Sequence, residues 1–207
     1  MSTVIAIKDG SKVYIGCDSL VSKGWTVDHL PARRAKAFKI EGTNGAVMGG
    51  SGFLRDLNIL ACADDLVPEI YKYKSIEFKD MVNTIVPAIM KKLEDNHRIT
   101  MKDNIYEMQS CFIFAYKDKV FSIDFEGSVE EPESGFCAVG CGYILAEGAY
   151  HSIKNDSSLS APQKVIKTLM AACDKDANVD YPIIVFNTAD DTVIEVKNQK
   201  EGLSLMR

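Results

Sequence analysis

The chain has 207 residues, of which 46% are hydrophobic and 26% charged, with a formal net charge of −5. This suits one domain at the upper end of roughly 100–200 residues, able to bury about 70% of its unfolded surface without disulfides or metals. The acidic balance argues against a general nucleic-acid binder, which needs a basic stripe. The three histidines (His29, His97, His151) show no metal-ligand spacing, so neither a metal nor another cofactor is expected. None of the six cysteines forms a CxxC pair, and most sit in apolar runs such as YIGCDS and QSCFIF. Reduced, buried thiols in a cytoplasmic protein are expected. The N-terminus lacks a basic region followed by an apolar stretch of about 7–15 residues, and there is no run of about 18 apolar residues to cross a membrane.

In chain order, Thr3 to Lys8 is β-branched and apolar, and Val13 to Asp18 repeats the pattern after Asp9-Gly10-Ser11. The two predict a hairpin starting at the N-terminus. A polar loop with Gly24, Trp25, His29 and Pro31 follows, and a second hairpin joins Lys36–Ile40 to Ala46–Gly50. Phe53, Leu54, Leu57, Leu60 and Ala61 recur at helical spacing within Ser51–Asp65. Ser75 to Asn96 predicts a longer helix with Ser75 as N-cap, kinked or split at Pro87. Ser110–Tyr116 and Lys119–Asp124 form a third hairpin, and Phe136–Val139 is a short strand ended by Gly140-Cys141-Gly142. Helices over Gly142–Ile153 and Ala161–Cys173 come next, the second capped by Ser160 with Pro162 in its first turn. Pro182–Asn187 and Thr192–Val196 make a last hairpin, and the tail after Lys197 has no pattern.

Strands in hairpins make antiparallel sheets, and helices in two pairs can cover two outer faces. The expectation is a single α+β domain over residues 1–207: a four-layer αββα sandwich of two mainly antiparallel sheets between helix pairs.

This order resembles the N-terminal-nucleophile hydrolases, and within them the proteasome β subunits and the HslV peptidase. In that family a Thr, Ser or Cys nucleophile leads a strand, a turn and a second strand ending in Asp-Ser or Asp-Gly. Here Ser2-Thr3-Val4-Ile5-Ala6-Ile7 leads through Asp9-Gly10 to Gly16-Cys17-Asp18-Ser19, and the family interval of sixteen residues before Asp18 falls on Ser2. Lys36-Ala37-Phe38-Lys39-Ile40 matches the pattern around the family's catalytic Lys, after a loop about two residues longer. Gly49-Gly50 corresponds to the glycine pair ending the fourth strand, and Ala138-Val139-Gly140-Cys141-Gly142 is similar to the Gly-Ser-Gly before a helix. The helix pair around Leu159-Ser160-Ala161 resembles the HslV type in particular. The resemblance covers residues 2–196.

The resemblance implies a peptidase subunit in a homo-oligomeric ring, acting on peptides or unfolded proteins, with an ATPase unfoldase as a possible partner. Removal of Met1, expected before a residue as small as serine, would expose the Ser2 α-amino group. That amine, of pKa roughly 7.7–8.0, can act as the base that a serine nucleophile requires. Lys36 would supply positive charge, Asp18 its counterion, and the Gly49 N–H an oxyanion donor. The family's supporting Ser and Asp fall on Cys141 and on Asp176, with Asp174 as competitor. A second supporting Ser falls on Val179. Thr3 would be the nucleophile only if processing also removed Ser2. Two alternatives stay open: a catalytically inactive ring subunit, suggested by Cys141 and Val179, and a small-molecule amidohydrolase of the wider class.

Overall fold

The structure, a computed structural model, describes residues 2–64, 66–67 and 70–206. The opening hairpin is β1 (Thr3–Asp9) and β2 (Lys12–Cys17), turned at Gly10 with φ +59°. A second hairpin follows, β3 (Leu20–Lys23) and β4 (Thr26–His29), where a loop is expected from the sequence. Its β4 residues are all exposed, so it has no apolar alternation to announce it. The strand β5 (Ala37–Lys39) pairs with β6 (Val47–Ser51).

Helix α1 covers Leu54–Ala61, shorter than the expected Ser51–Asp65. Ser51 still belongs to β6, and Gly52 at φ +145° cannot continue into a helix. Asp65 lies outside the described residues. The next helix is divided into α2 (Phe78–Asp80), a π-turn (Met81–Ile85) and α3 (Val86–Asp95). Pro87 sits in the first turn of α3, where its missing N–H costs nothing, and the wider π-turn shifts the register just before it. The expected split is therefore a change of helical register. The cap is Glu77, paired with Asp80 in a capping box, and not Ser75.

Another unanticipated hairpin, β7 (Ile99–Lys102) with β8 (Ile105–Met108), precedes the expected pair β9 (Cys111–Tyr116) and β10 (Lys119–Ile123). Then come the short β11 (Val129–Glu130), β12 (Phe136–Gly140), α4 (Tyr143–Ile153), α5 (Ala161–Lys175), β13 (Ile183–Asn187) and β14 (Ile194–Val196). The tail holds α6 (Gln199–Ser204), capped by the Asn198 side chain accepting the Glu201 N–H. So short a helix leaves no periodic stripe in the sequence.

Two five-stranded antiparallel sheets result, in the orders β12-β1-β2-β13-β14 and β11-β10-β9-β6-β5. Alternation along the strands of both sheets builds three core layers. Val4 and Ala6 face the second sheet with Ile15, Val47 and Ile113, while Ile5 and Ile7 face α4 and α5 with Val165 and Leu169. Met48, Phe112 and Phe114 face α1 and α3 with Leu57, Leu60 and Ile89 on the far side of the second sheet. This is the expected αββα sandwich. A glycine at Gly16 is obligatory here: a Cβ would stand 2.4 Å from Val165 Cγ1 and 2.8 Å from Leu169 Cδ1. The close approach seats β2 under α5 and so fixes Asp18, one residue beyond the strand.

Candidate active site

The N-terminal ends of β1 and β5 and the C-terminal ends of β2 and β6 meet at one edge of the sandwich. Asp18 follows β2 and is 0% exposed. Its Oδ1 accepts the Thr3 N–H at 2.9 Å and its Oδ2 the Leu20 N–H at 3.1 Å. Lys36, just before β5, donates from Nζ to Asp18 Oδ2 at 2.8 Å and is itself 2% exposed. Burial raises the Asp18 carboxyl above its ordinary range, and the Lys36 charge opposes that shift. Ser2 is buried and lies directly before β1, lining a cavity of about 560 Å³ with Lys36, Gly52, Leu20, Phe53 and Leu57. The expected removal of Met1 falls outside the described residues. Thr3 does not line the cavity, and its Oγ1 accepts the Gly142 N–H at 3.1 Å.

Cys141 and Asp176 come to the same place from the other side. The Cys141 thiol donates to the Ser2 carbonyl oxygen at 3.4 Å. Burial, then the adjacent Asp176 carboxylate, push this thiol's pKa up, so it remains a protonated donor. Asp176 is the C-cap of α5; burial raises its pKa, but the Asn178 backbone N–H, the Cys141 thiol and the Asn178 side chain outweigh it and hold it low. Asp174 faces elsewhere, accepting from Gln199 Nε2 at 3.1 Å, so Asp176 is the acid beside Cys141. Val179 is buried behind this point and offers no hydroxyl. Gly140, at φ +103°, lets β12 pass the start of the chain: a Cβ there would stand 2.0 Å from the Ser2 carbonyl oxygen.

The expectation for Gly49 needs correction. Gly50 donates its N–H to the Lys36 carbonyl at 3.0 Å. Successive N–H groups of a strand point to opposite sides, so that of Gly49 is turned toward β9, where it pairs with Ile113. The glycine that lines the cavity is Gly52, and among the described residues no acceptor is found for its N–H. No local pattern in the sequence marks Gly52, because only the pairing of β6 with β5 and β9 shows that the Gly49 amide is already engaged.

His29 is not in the cavity; its Nε2 lies 3.1 Å from Asp180 Oδ2 at the surface. Trp25 is fully exposed at the turn of the β3–β4 hairpin. A second cavity of about 610 Å³, lined by Arg33, Arg34, Phe38 and Ala61, excludes Ser2 and Lys36 and so lies apart from these groups. The cysteines are unpaired; Cys17 and Cys137 are buried, Cys111 and Cys173 half-buried, and Cys62 and Cys141 exposed, so burial is less general than the apolar runs suggest. Among the described residues no group of three or more His, Cys, Asp or Glu could hold a metal ion, and no helix is long and apolar enough to cross a membrane.

An N-terminal strand bearing Ser2, with a buried Lys36–Asp18 pair beside it, within two sheets between helix pairs, defines an N-terminal-nucleophile hydrolase fold. No protein-family model matches the chain. The ATP-dependent protease subunit HslV of Rickettsia typhi is 23% identical over 174 residues, 84% of this chain and 87% of that protein. The HslV of Rickettsia prowazekii is 23% identical over the same shares. Among solved structures, Thiobacillus denitrificans BPH in complex with epoxomicin superposes with a TM-score of 0.71 at 19% identity, covering 95% of this chain and all (100%) of that one. HslV from Trypanosoma brucei gives 0.64 at 21% identity, covering 89% and 98%. The Gly-1 mutant of Anbu from Hyphomicrobium sp. strain MC1 gives 0.70 at 12% identity, covering 100% and 92%. The resemblance to HslV-like N-terminal-nucleophile hydrolases thus holds in both sequence and fold, and the chain is similar to proteases of the proteasome and HslV type.

Proposed function

We propose that the chain is a peptidase subunit whose nucleophile is Ser2, exposed by removal of Met1. The observation that carries this reading is the buried Lys36–Asp18 pair, 2.8 Å between Nζ and Oδ2, at the wall of the cavity that Ser2 lines. A buried ion pair is weak support for stability alone, and its position beside the first residues of β1 favours a chemical role.

In this reading the Ser2 Oγ attacks the peptide carbonyl while its proton passes to the Ser2 α-amine, directly or through one water. The amine returns that proton to the leaving amine as the C–N bond breaks. Water then hydrolyses the Ser2 ester by the same route in reverse. The Lys36 charge favours the alkoxide-like oxygen and lowers the pKa of the amine; Asp18 fixes Lys36 and, through the Thr3 N–H, the start of β1. The Gly52 N–H, in place of that of Gly49, stabilises the oxyanion. Cys141 donates its single thiol proton to the Ser2 carbonyl, and burial and the nearby Asp176 carboxylate keep that thiol protonated. The Thr3 hydroxyl, engaged by the Gly142 N–H, supports Ser2 over Thr3 as nucleophile. A cytoplasmic ring of copies facing their sites inward, served by an ATP-driven unfoldase, completes the reading. Unfolded protein would be its substrate.

The test is intact-mass measurement of the purified protein before and after exposure to epoxomicin or a β-lactone. Loss of Met1 and addition of one probe mass per chain, absent in Ser2→Ala, are expected. Met1 retained and no adduct would favour the inactive ring subunit, for which Cys141 and Val179 speak. Cleavage of acyl amides but not peptides would favour the amidohydrolase.

A further inference from the structure

Behind the cavity wall lies a buried polar chain that the chemistry above does not use. Asp56, in the first turn of α1, is 0% exposed. Arg98 Nε donates to its Oδ1. Ser110, 2% exposed and just before β9, donates its hydroxyl to Asp56 Oδ2 at 2.8 Å. The same Ser110 Oγ accepts the Phe53 N–H at 3.0 Å. The Arg98 guanidinium also stands 4.9 Å from the centre of the Phe53 ring. Gly52 is wedged against this chain: a Cβ on it would lie 2.3 Å from Ser110 Oγ and 2.6 Å from the Gln109 carbonyl oxygen.

The direction of these bonds matters. An ionised carboxylate only accepts, so the single Ser110 proton must point at Asp56. That leaves a Ser110 lone pair for the Phe53 N–H and orients the peptide joining Gly52 to Phe53, while the close fit of Gly52 against Ser110 and the Gln109 carbonyl confines the preceding Ser51–Gly52 peptide, which carries the Gly52 N–H. A buried carboxylate is costly unless paired, and this one is spent on a turn, Ser51-Gly52-Phe53, that forms the cavity wall beside Ser2 and Lys36.

We propose that Asp56, acting through Ser110 and steadied by Arg98, is a positioning residue that holds the Gly52–Phe53 turn so that the Gly52 N–H faces the reacting carbonyl. This rests on the peptidase reading. Asp56→Asn keeps the shape but lets the side-chain amide donate to Ser110, reversing the polarity of the chain. Ser110→Ala and the near-isosteric Ser110→Cys, a poor hydrogen-bond partner, remove the link to Phe53 and serve if Asp56→Asn fails to fold.

The experiment measures peptide cleavage, and amide hydrogen exchange at Phe53, in the wild-type protein and each variant. Loss of the link should lower kcat about tenfold or more with KM nearly unchanged. It should also speed exchange at Phe53 about tenfold, with Ile113 in β9 unaffected. An unchanged Phe53 exchange rate overturns the proposal, as does an unchanged kcat or a loss confined to KM in a background where the wild type cleaves. A wild type inert to substrate and to the probes overturns the peptidase reading instead, and the catalytic half of this proposal with it.

Discussion

Asp18 and Lys36 meet where almost no water reaches, and each is tolerable there only because of the other. Removing one partner of a buried pair costs about 3–5 kcal/mol. Lys36→Met should therefore destabilise the fold by about that amount at neutral pH and, on the peptidase reading, abolish cleavage. The pH dependence follows from the raised Asp18 pKa. Between the unfolded value, about 3.9, and the higher folded one, the native state binds more protons than the unfolded chain, so stability falls as pH rises through that window. Without Lys36 to oppose burial the window extends upward. Denaturant titrations should then show the wild-type-to-variant gap narrow toward pH 4 and reach its full size near neutrality. A gap independent of pH would show that Asp18 carries no such shift.

Among the elements, β2 and α5 set the site most rigidly. Gly16 packs under α5, where a Cβ would stand 2.4 Å from Val165 Cγ1 and 2.8 Å from Leu169 Cδ1, so any side chain there must displace them. Gly16→Ala forces strand and helix apart, and overpacking of this kind costs about 1–3 kcal/mol. Since Asp18 follows two residues later, probe labelling of Ser2 should slow in Gly16→Ala under conditions where circular dichroism still reports a folded chain. Unaltered labelling would mean that strand seating and site geometry are uncoupled. The hairpins β3–β4 and β7–β8 behave differently, since their exposed strands contribute little to the core. The first still supplies Leu20 to Lys23 as one wall of the cavity.

At the scale of the whole molecule, α4 exposes apolar residues in its first turn, Tyr143, Ile144 and Leu145, ahead of the polar Glu147, His151 and Ser152. Ala146 is buried against α5, whereas Tyr143 and Ile144, 44% and 65% exposed, face outward at its start. An exposed apolar patch of this kind at a helix start suits a contact with another chain, and a second copy of this chain is the partner that the ring reading supplies. Each buried Ile contributes roughly 1.5–3 kcal/mol, so Ile144→Glu should shift native mass toward smaller species while the monomer fold persists. An unchanged native mass would remove α4 from the contact.

The sequence by itself determined the order of the principal strands and helices and the two-sheet packing, and it singled out Ser2, Asp18 and Lys36, which the fold brings to one edge. Strand alternation and the interval along β1 and β2 are local properties, and hairpins bring near neighbours together. It also carried Cys141, through the glycines around it. What it left undecided needed contacts between distant segments. Asp176 is separated from Asp174 by which side of the α5 end meets Cys141. Gly52 and not Gly49 lines the cavity, and the pairing of β6 with β5 and β9 turns the Gly49 amide toward β9. The Asp56–Ser110–Arg98 chain joins residues that no local pattern links. Periodicity reports which face of an element is buried; only the tertiary structure decides which polar groups converge on one point, because that depends on register and crossing between elements far apart in the chain.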